Sequence, residues 1–166
     1  DALEFLFTRS YESLKGWNDA FVKDVRQITF DAVRDGTGIT ELTEQIKERT
    51  GITSRRAELI ARTETISAYR ESSINETERA SEEVGKEINM RWITAIDTKV
   101  RHLHASFHGT INSPEETRRK GSISPFNCRC AQVPVIKGAG DTAKKNEKFT
   151  KQRDSLLRME ADSNVK

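Results

Sequence analysis

Apolar side chains recur at helical spacing over the first part of the chain. Between residues 3 and 34 they follow one another mostly in steps of three and four, which is typical of a helix with one apolar stripe. The stripe consists of Phe7, Tyr11, Leu14, Phe21, Val25 and Ile28. The pattern predicts one long amphipathic helix in residues 1–36. Two partners for its stripe stay open: its own domain, or a helix of another molecule at an assembly contact.

Residues 37–85 are predicted to be a second helical segment. The sequence from Asp35 to Gly38 breaks the first helix, and a short helix from Glu41 to Arg49 follows. Gly51 suits the position just after that helix, because glycine readily adopts the left-handed backbone of a helix end. A longer helix then runs from about Arg55 to Glu83, and its second half is almost entirely polar.

The pattern changes after Gly85, and residues 86–136 are predicted to form a small α+β unit. Its predicted parts are, in order, a strand at 88–93 with Trp92 as packing anchor, a helix at 98–107, a loop at 109–124 and a strand at 131–135. The second strand contains Pro134, which suits a strand end or a sheet edge because proline cannot donate a ladder hydrogen bond.

Residues 137–166 read as a linker, Lys137 to Gly140, and a charged C-terminal helix from Thr142 to Met159. The predicted fold class is therefore α+β and mostly helical. Long N-terminal helices precede a small unit with a short antiparallel sheet, and a helical tail closes the chain.

Composition narrows the function classes. Hydrophobic residues make up 34% of the chain and charged residues 33%, so little apolar material is available for one core. The net charge of +2 is small for a dedicated DNA-binding domain. No apolar run approaches the roughly 20 residues of a membrane-spanning helix. The chain starts at Asp1 without a methionine, and we expect a further N-terminal portion in the natural protein. These features favour an assembly protein.

An ordered set of short motifs carries the most information. The set comprises Ala61 to Glu64, Trp92, Asp97, Arg101, His104, Gly109, Asn127 to Cys130, and the apolar strand Val133 to Val135. In this order, over residues 38–136, it resembles the Mu F-like minor head proteins, also called phage head-morphogenesis proteins. One departure is the segment before the cysteines, which is reduced here to Gly121–Pro125.

The resemblance implies a structural protein of the virion, not an enzyme. It implies a position inside the head, with the portal protein, other head proteins and packaged double-stranded DNA as partners. Its role would be in head assembly, genome packaging or genome delivery, with the host cytoplasm as the place of assembly. A metal-binding, nuclease-like domain using His104, His108 and Asp97 is the main alternative, and a general helical adaptor is a third.

The cysteines and histidines allow two interpretations. His104, His108, Cys128 and Cys130 together offer the nitrogen and sulfur donors of a tetrahedral zinc site. Alternatively, hydrogen bonds through Asp97, Arg101, His104 and Asn127 clamp the loop without a metal. In that second interpretation Asp97 and Arg101 form an ion pair. The one-residue spacing of the cysteines favours the metal-free clamp, so no cofactor is expected and zinc remains the alternative.

Overall fold

A computed structural model of the chain describes residues 2–8, 11, 14–123, 125–136 and 143–163. The predicted linker at 137–140 lies outside these residues. Contacts divide the chain into two compact units. We call residues 1–72 with 121–128 the helical unit, and residues 73–120 with 129–166 the sheet unit. The elements are mostly helices with a small antiparallel sheet, so the predicted α+β class is confirmed.

The predicted single N-terminal helix is wrong, because the chain forms two helices there. These are α1 (Ala2–Thr8) and α2 (Asp19–Asp35). Gly16 lies between them with a positive φ of 86°, a conformation that favours glycine and ends helical geometry. Asn18 then starts α2 afresh, since its side-chain oxygen accepts the Phe21 N–H at 2.9 Å. The helical spacing of apolar residues therefore continues through the segment between α1 and α2, although Gly16 and Asn18 interrupt the helix there.

The apolar stripe of the N-terminal segment is buried within the helical unit. Two further helices contribute residues to the same core, α3 (Ile39–Thr50) and the first part of α4 (Ser54–Val84). The core contains Leu6, Tyr11, Leu14, Val25, Ile28, Ala32, Leu42, Ile46, Ala57, Ile60, Ala61 and Ala68. Of the two partners that the sequence left open, the structure favours the protein's own domain. The Phe7 side chain lies outside the described residues.

The sheet unit is built around one central strand. Its elements are β1 (Ile88–Ile93), α5 (His102–Phe107), β2 (Ile111–Asn112), most of α6 (Pro114–Ser122), β3 (Ala131–Ile136) and α7 (Ala143–Ser163). The strand order is β2-β1-β3, and both pairings are antiparallel. Both predicted strands are confirmed. The predicted helix at 98–107 begins only at His102.

Helix α6 corrects the predicted loop at 109–124. Ser113 caps this helix, because its hydroxyl accepts the Glu116 N–H at 3.2 Å. Pro114 occupies the first helical position, where the missing N–H costs nothing. Acidic residues lie in the first turn and basic residues in the last, which matches the helix dipole. The start signals were therefore present in a segment whose polar composition suggested a loop.

Pro134 lies at an outward-facing position of the edge strand β3. The Trp92 N–H donates to the Thr110 oxygen, so Trp92 directs its backbone groups towards the β2 side. Alternation along β1 then directs the groups of Arg91 towards β3, where its partner is Val133. The backbone of Pro134, one residue on, consequently faces away from β1. The sequence-based placement of this proline at an edge is confirmed.

Candidate functional site

His104 lies on the buried side of α5. Its side chain is 3% exposed, and the Trp92 ring meets it edge-on at a centroid distance of 5.9 Å. The Phe107 ring stacks beside it at 6.2 Å. His104 Nδ1 lies 3.5 Å from the Sγ atom of Cys130, which is also buried. Two aromatic side chains thus hold this imidazole in one orientation, with a ring nitrogen directed at a thiol.

In the helical unit, α4 holds the segment that leads to the cysteines. Asn127 has a φ of 52°, the only non-glycine residue in the described part of the chain with a left-handed backbone. Its N–H donates to Thr63 Oγ1 at 3.0 Å. Thr63 belongs to the Ala61–Glu64 motif, so two widely separated motifs meet in one hydrogen bond.

Arg70 was not identified as a site residue from the sequence. It is 9% exposed, and it donates to the Gly121 oxygen at 3.0 Å and to Cys128 Sγ at 3.6 Å. A side chain at Gly121 would meet this guanidinium group, since an added Cβ would lie 2.9 Å from Arg70 Cδ. The arginine therefore fixes both ends of the stretch from Gly121 to Cys128. Its position in the polar half of α4 gave no sign of this burial.

Asp97 pairs with Arg129, the residue between the two cysteines. Two hydrogen bonds of 2.7 and 2.8 Å join the guanidinium group to the carboxylate, and the Lys99 N–H also donates to Asp97 at 2.9 Å. The sequence predicted Arg101 as the partner of Asp97. Arg101 is the residue just before α5, and its side chain makes no capping hydrogen bond to that helix. Within the sheet unit, this pair links the turn before α5 to the residues just before β3.

We expect the pKa of Asp97 to report this pairing. The hydrogen bonds from Arg129, with that of the Lys99 N–H, lower its pKa from 3.8 to about 2. The contribution of the pair to stability is thus present above about pH 3.8 and is lost as the pH falls through about 2. Carboxyl chemical shifts, followed by NMR, should show the low midpoint, and the Arg129→Gln variant should move it back towards 3.8. An unchanged midpoint in the variant would contradict the pairing.

His108 does not join His104, although the two are four residues apart. Helix α5 ends at Phe107, and the backbone of His108 has left helical geometry, so the shared helix face that the spacing suggested does not exist. His108 Nδ1 accepts the Thr94 N–H at 3.1 Å, while Nε2 lies 3.3 Å from Gln152 Oε1 on α7. A neutral ring protonated at Nε2 satisfies both contacts.

Burial lowers the pKa of His108 below its ordinary value of 6.5, although the bond to Gln152 opposes the shift. The unfolded chain therefore binds more protons than the folded chain just below pH 6.5, and stability should fall as the pH decreases through this range. Urea unfolding at pH 7.5, 6.5 and 5.5, values near the ordinary histidine pKa, measures the effect. The His108→Gln variant should lose this part of the pH dependence. If the variant keeps the full dependence, another group is responsible.

Gly109 allows α7 to pack closely beside His108. Its φ is 78°, and an added Cβ would lie only 2.4 Å from the Phe149 side chain. The Phe149 ring lies 5.4 Å from the His108 ring, and the Arg91 guanidinium group lies 4.4 Å from its centroid. Gly109 of the ordered motif set is thus required by both the backbone and the packing.

Two of the four predicted zinc donors lie together in the sheet unit. They are His104 and Cys130, whose ligand atoms are 3.5 Å apart and whose side chains are buried. Both cysteines are thiols and form no disulfide. His108, another predicted donor of this unit, bonds Thr94 and Gln152 instead.

Comparison with known proteins agrees with the motif order. A family model described as "Phage Mu protein F like protein" matches residues 23–133. The chain belongs to this family. The family is one of phage head-morphogenesis proteins. The match begins within α2 and ends in β3, so it includes the ordered set except for Pro134 and Val135 of the last motif.

Two curated relatives are similar to this Mu F-like chain. An uncharacterized protein of Haemophilus influenzae is 30% identical over 92% of the chain and 35% of its own length. The NAD(+)–arginine ADP-ribosyltransferase EFV of Enterococcus faecalis is 26% identical over 83% of the chain and 31% of its own length. The chain thus spans about a third of these relatives. No solved structure matches significantly.

None of the described helices combines the length and the apolar character that crossing a membrane requires.

Proposed function

We propose that this protein is a minor head protein that associates with the portal inside the phage head and acts in head assembly, genome packaging or genome delivery. The observation that carries the proposal is the family match over residues 23–133. The other head proteins and the packaged double-stranded DNA are its further partners, and it enters the head in the host cytoplasm. The small net charge of +2 favours protein partners as the main contacts.

The ADP-ribosyltransferase name belongs to a much longer relative. This chain covers 31% of that relative, so the activity named there can lie in the remaining length. We therefore propose a structural role for the shared portion. Such a portion can occur in proteins with different additional parts.

Protection from protease tests the internal location. Purified heads are treated with a protease before and after they are opened by heat, and the protein is detected by mass spectrometry. We expect it to survive in intact heads and to be degraded in opened heads, whereas the major capsid protein serves as the external control. Degradation in intact heads, or absence from purified heads, would contradict the proposal.

Chemical cross-linking tests the portal partner separately. Lysine-reactive cross-linking of intact heads should join this protein to the portal protein, and the same reaction on heads without DNA should give the same links. If cross-links lead only to the major capsid protein, the internal location can stand but the portal association fails.

The nuclease-like alternative makes a different prediction. In the part of the chain that the structure describes, Asp97 and His108 share no group of metal-binding side chains with His104. Asp97 pairs with Arg129, and His108 bonds Thr94 and Gln152. We expect no cleavage of single- or double-stranded DNA by the purified chain with zinc, magnesium or manganese. Cutting that disappears in the His104→Ala variant but persists in His102→Ala would favour the nuclease.

A further inference from the structure

We propose that a groove between α2 and α3 of the helical unit receives an arginine side chain from a basic segment of another protein. The groove has a volume of about 470 Å³ and is lined by Ile28, Asp31, Gln45, Glu48 and Arg49. All of these residues belong to the helical unit. The inference concerns this surface alone and does not depend on the proposed role in the head.

The lining of the groove matches the two parts of an arginine side chain. Ile28 is the least exposed lining residue, at 8%, and provides an apolar surface against which an aliphatic stem can lie. Asp31 and Gln45 are half-buried, and Glu48 is exposed, so polar groups meet the cationic head nearer to solvent. Pockets for small molecules are lined mostly by apolar side chains. Ile28 is the single apolar residue in this lining, so a protein side chain is the better occupant.

The cations beside the groove are already bound to carboxylates. Arg49 donates to Asp24 Oδ1 at 3.1 Å. Arg34 donates to Asp35 through two hydrogen bonds of 2.8 and 2.9 Å, and it also meets Asp31 at 3.0 Å. Two guanidinium groups therefore serve three carboxylates before any partner binds.

Glu48 adds a further negative charge to this surface. Among the described residues its carboxylate forms no ion pair, and the neighbouring Lys47 bonds Glu44 instead, at 2.9 Å. The surplus of carboxylates favours a basic partner and disfavours an acidic segment or a nucleic acid. Arginine suits the site better than lysine, because its planar guanidinium group binds a carboxylate through two parallel hydrogen bonds and is more weakly hydrated.

Titration of the full chain with a peptide tests the proposal. The probe is a blocked peptide of alanine and glutamine that carries one central arginine, and binding is followed by NMR. We expect saturable shifts of the Ile28 methyl groups and the Gln45 side-chain amide at millimolar peptide. A peptide with lysine in the central position should bind more weakly, and one with glutamate should not bind.

Three outcomes of the titration would overturn the proposal. The first is the absence of saturable shifts at the groove, and the second is an equal response to the glutamate peptide. The third is self-association of the chain alone that shifts the same resonances, since the occupant would then be a second copy of this chain. Binding should weaken as the salt concentration rises, because exposed charges are screened.

Variants separate the groove from general attraction between charges. Glu48→Gln should weaken peptide binding about fivefold, the upper end for a solvent-exposed ion pair. Asp31→Asn should have a smaller effect, because Asp31 already meets Arg34. Glu44→Gln is the matched control, since Glu44 is exposed on the same helix and does not line the groove. Equal weakening by Glu44→Gln and Glu48→Gln would contradict the assignment, and circular dichroism checks that each variant keeps its helices.

Discussion

Replacing Val25 by aspartate is expected to unfold the helical unit. Val25 is fully buried on α2, within the core that also contains Leu14 and Ile46. A carboxylate at this position has no partner in an apolar core, and burying it costs far more than the valine contacts contributed. We expect the free energy of unfolding to fall by more than about 4 kcal/mol, at the exceptional end of single substitutions.

Lys23→Asp is the matched control, since Lys23 lies two residues away on the same helix and is exposed. It should change stability by less than about 0.5 kcal/mol. Hydrogen exchange measured by mass spectrometry should show lost protection in α2 and α3 for Val25→Asp only. Normal protection in that variant would show that the stripe is not buried within its own unit, and an intermolecular partner would then have to be reconsidered.

Trp92→Ala should cost the sheet unit about 3–5 kcal/mol, the usual loss when a buried aromatic residue is truncated. The side chain is fully buried, and its ring meets His104 and also Phe107, the latter at 5.4 Å. The backbone of Trp92 also bonds both Gly109 and Thr110. Urea unfolding followed by circular dichroism measures the loss.

Trp17→Ala provides the comparison for this experiment. Trp17 is only half-buried, although it stacks on Phe21 at 4.0 Å. Its loss should be smaller than that of Trp92. A loss well under 1 kcal/mol for Trp92→Ala, against the 3–5 kcal/mol expected, would mean that the core of the sheet unit does not depend on this indole.

The elements with strong local signals were predictable from the sequence. The long helix α4 and the strands β1 and β3 follow their patterns within one or two residues. The division of the N-terminal segment was missed because Tyr11 and Leu14 keep helical spacing across the turn, while Gly16 and Asn18 decide the backbone. Helix α6 was missed for the opposite reason, since its capping residues are clear but its apolar stripe is weak.

The site was predictable only in part. The ordered motifs contain His104 and Cys130, whose ring nitrogen and sulfur lie 3.5 Å apart in the structure. The spacing of His104 and His108 was misleading, since a helix that ends between two residues removes their common face. The contacts of Thr63 and Arg70 join residues more than fifty positions apart. Local patterns do not encode such pairs, so only the fold reveals them.

The outward-facing Pro134 affects how copies of this protein can associate through their sheets. In the described part of the chain the sheet ends at β3, whose exposed side chains include Val133 and Ile136. An open apolar edge of this kind invites strands of other molecules to add to it. A strand that approached here would meet a proline where it needs a donor, at the middle of the edge. The proline therefore disfavours the addition of a strand at this edge, and with it the joining of copies through their sheets into fibres.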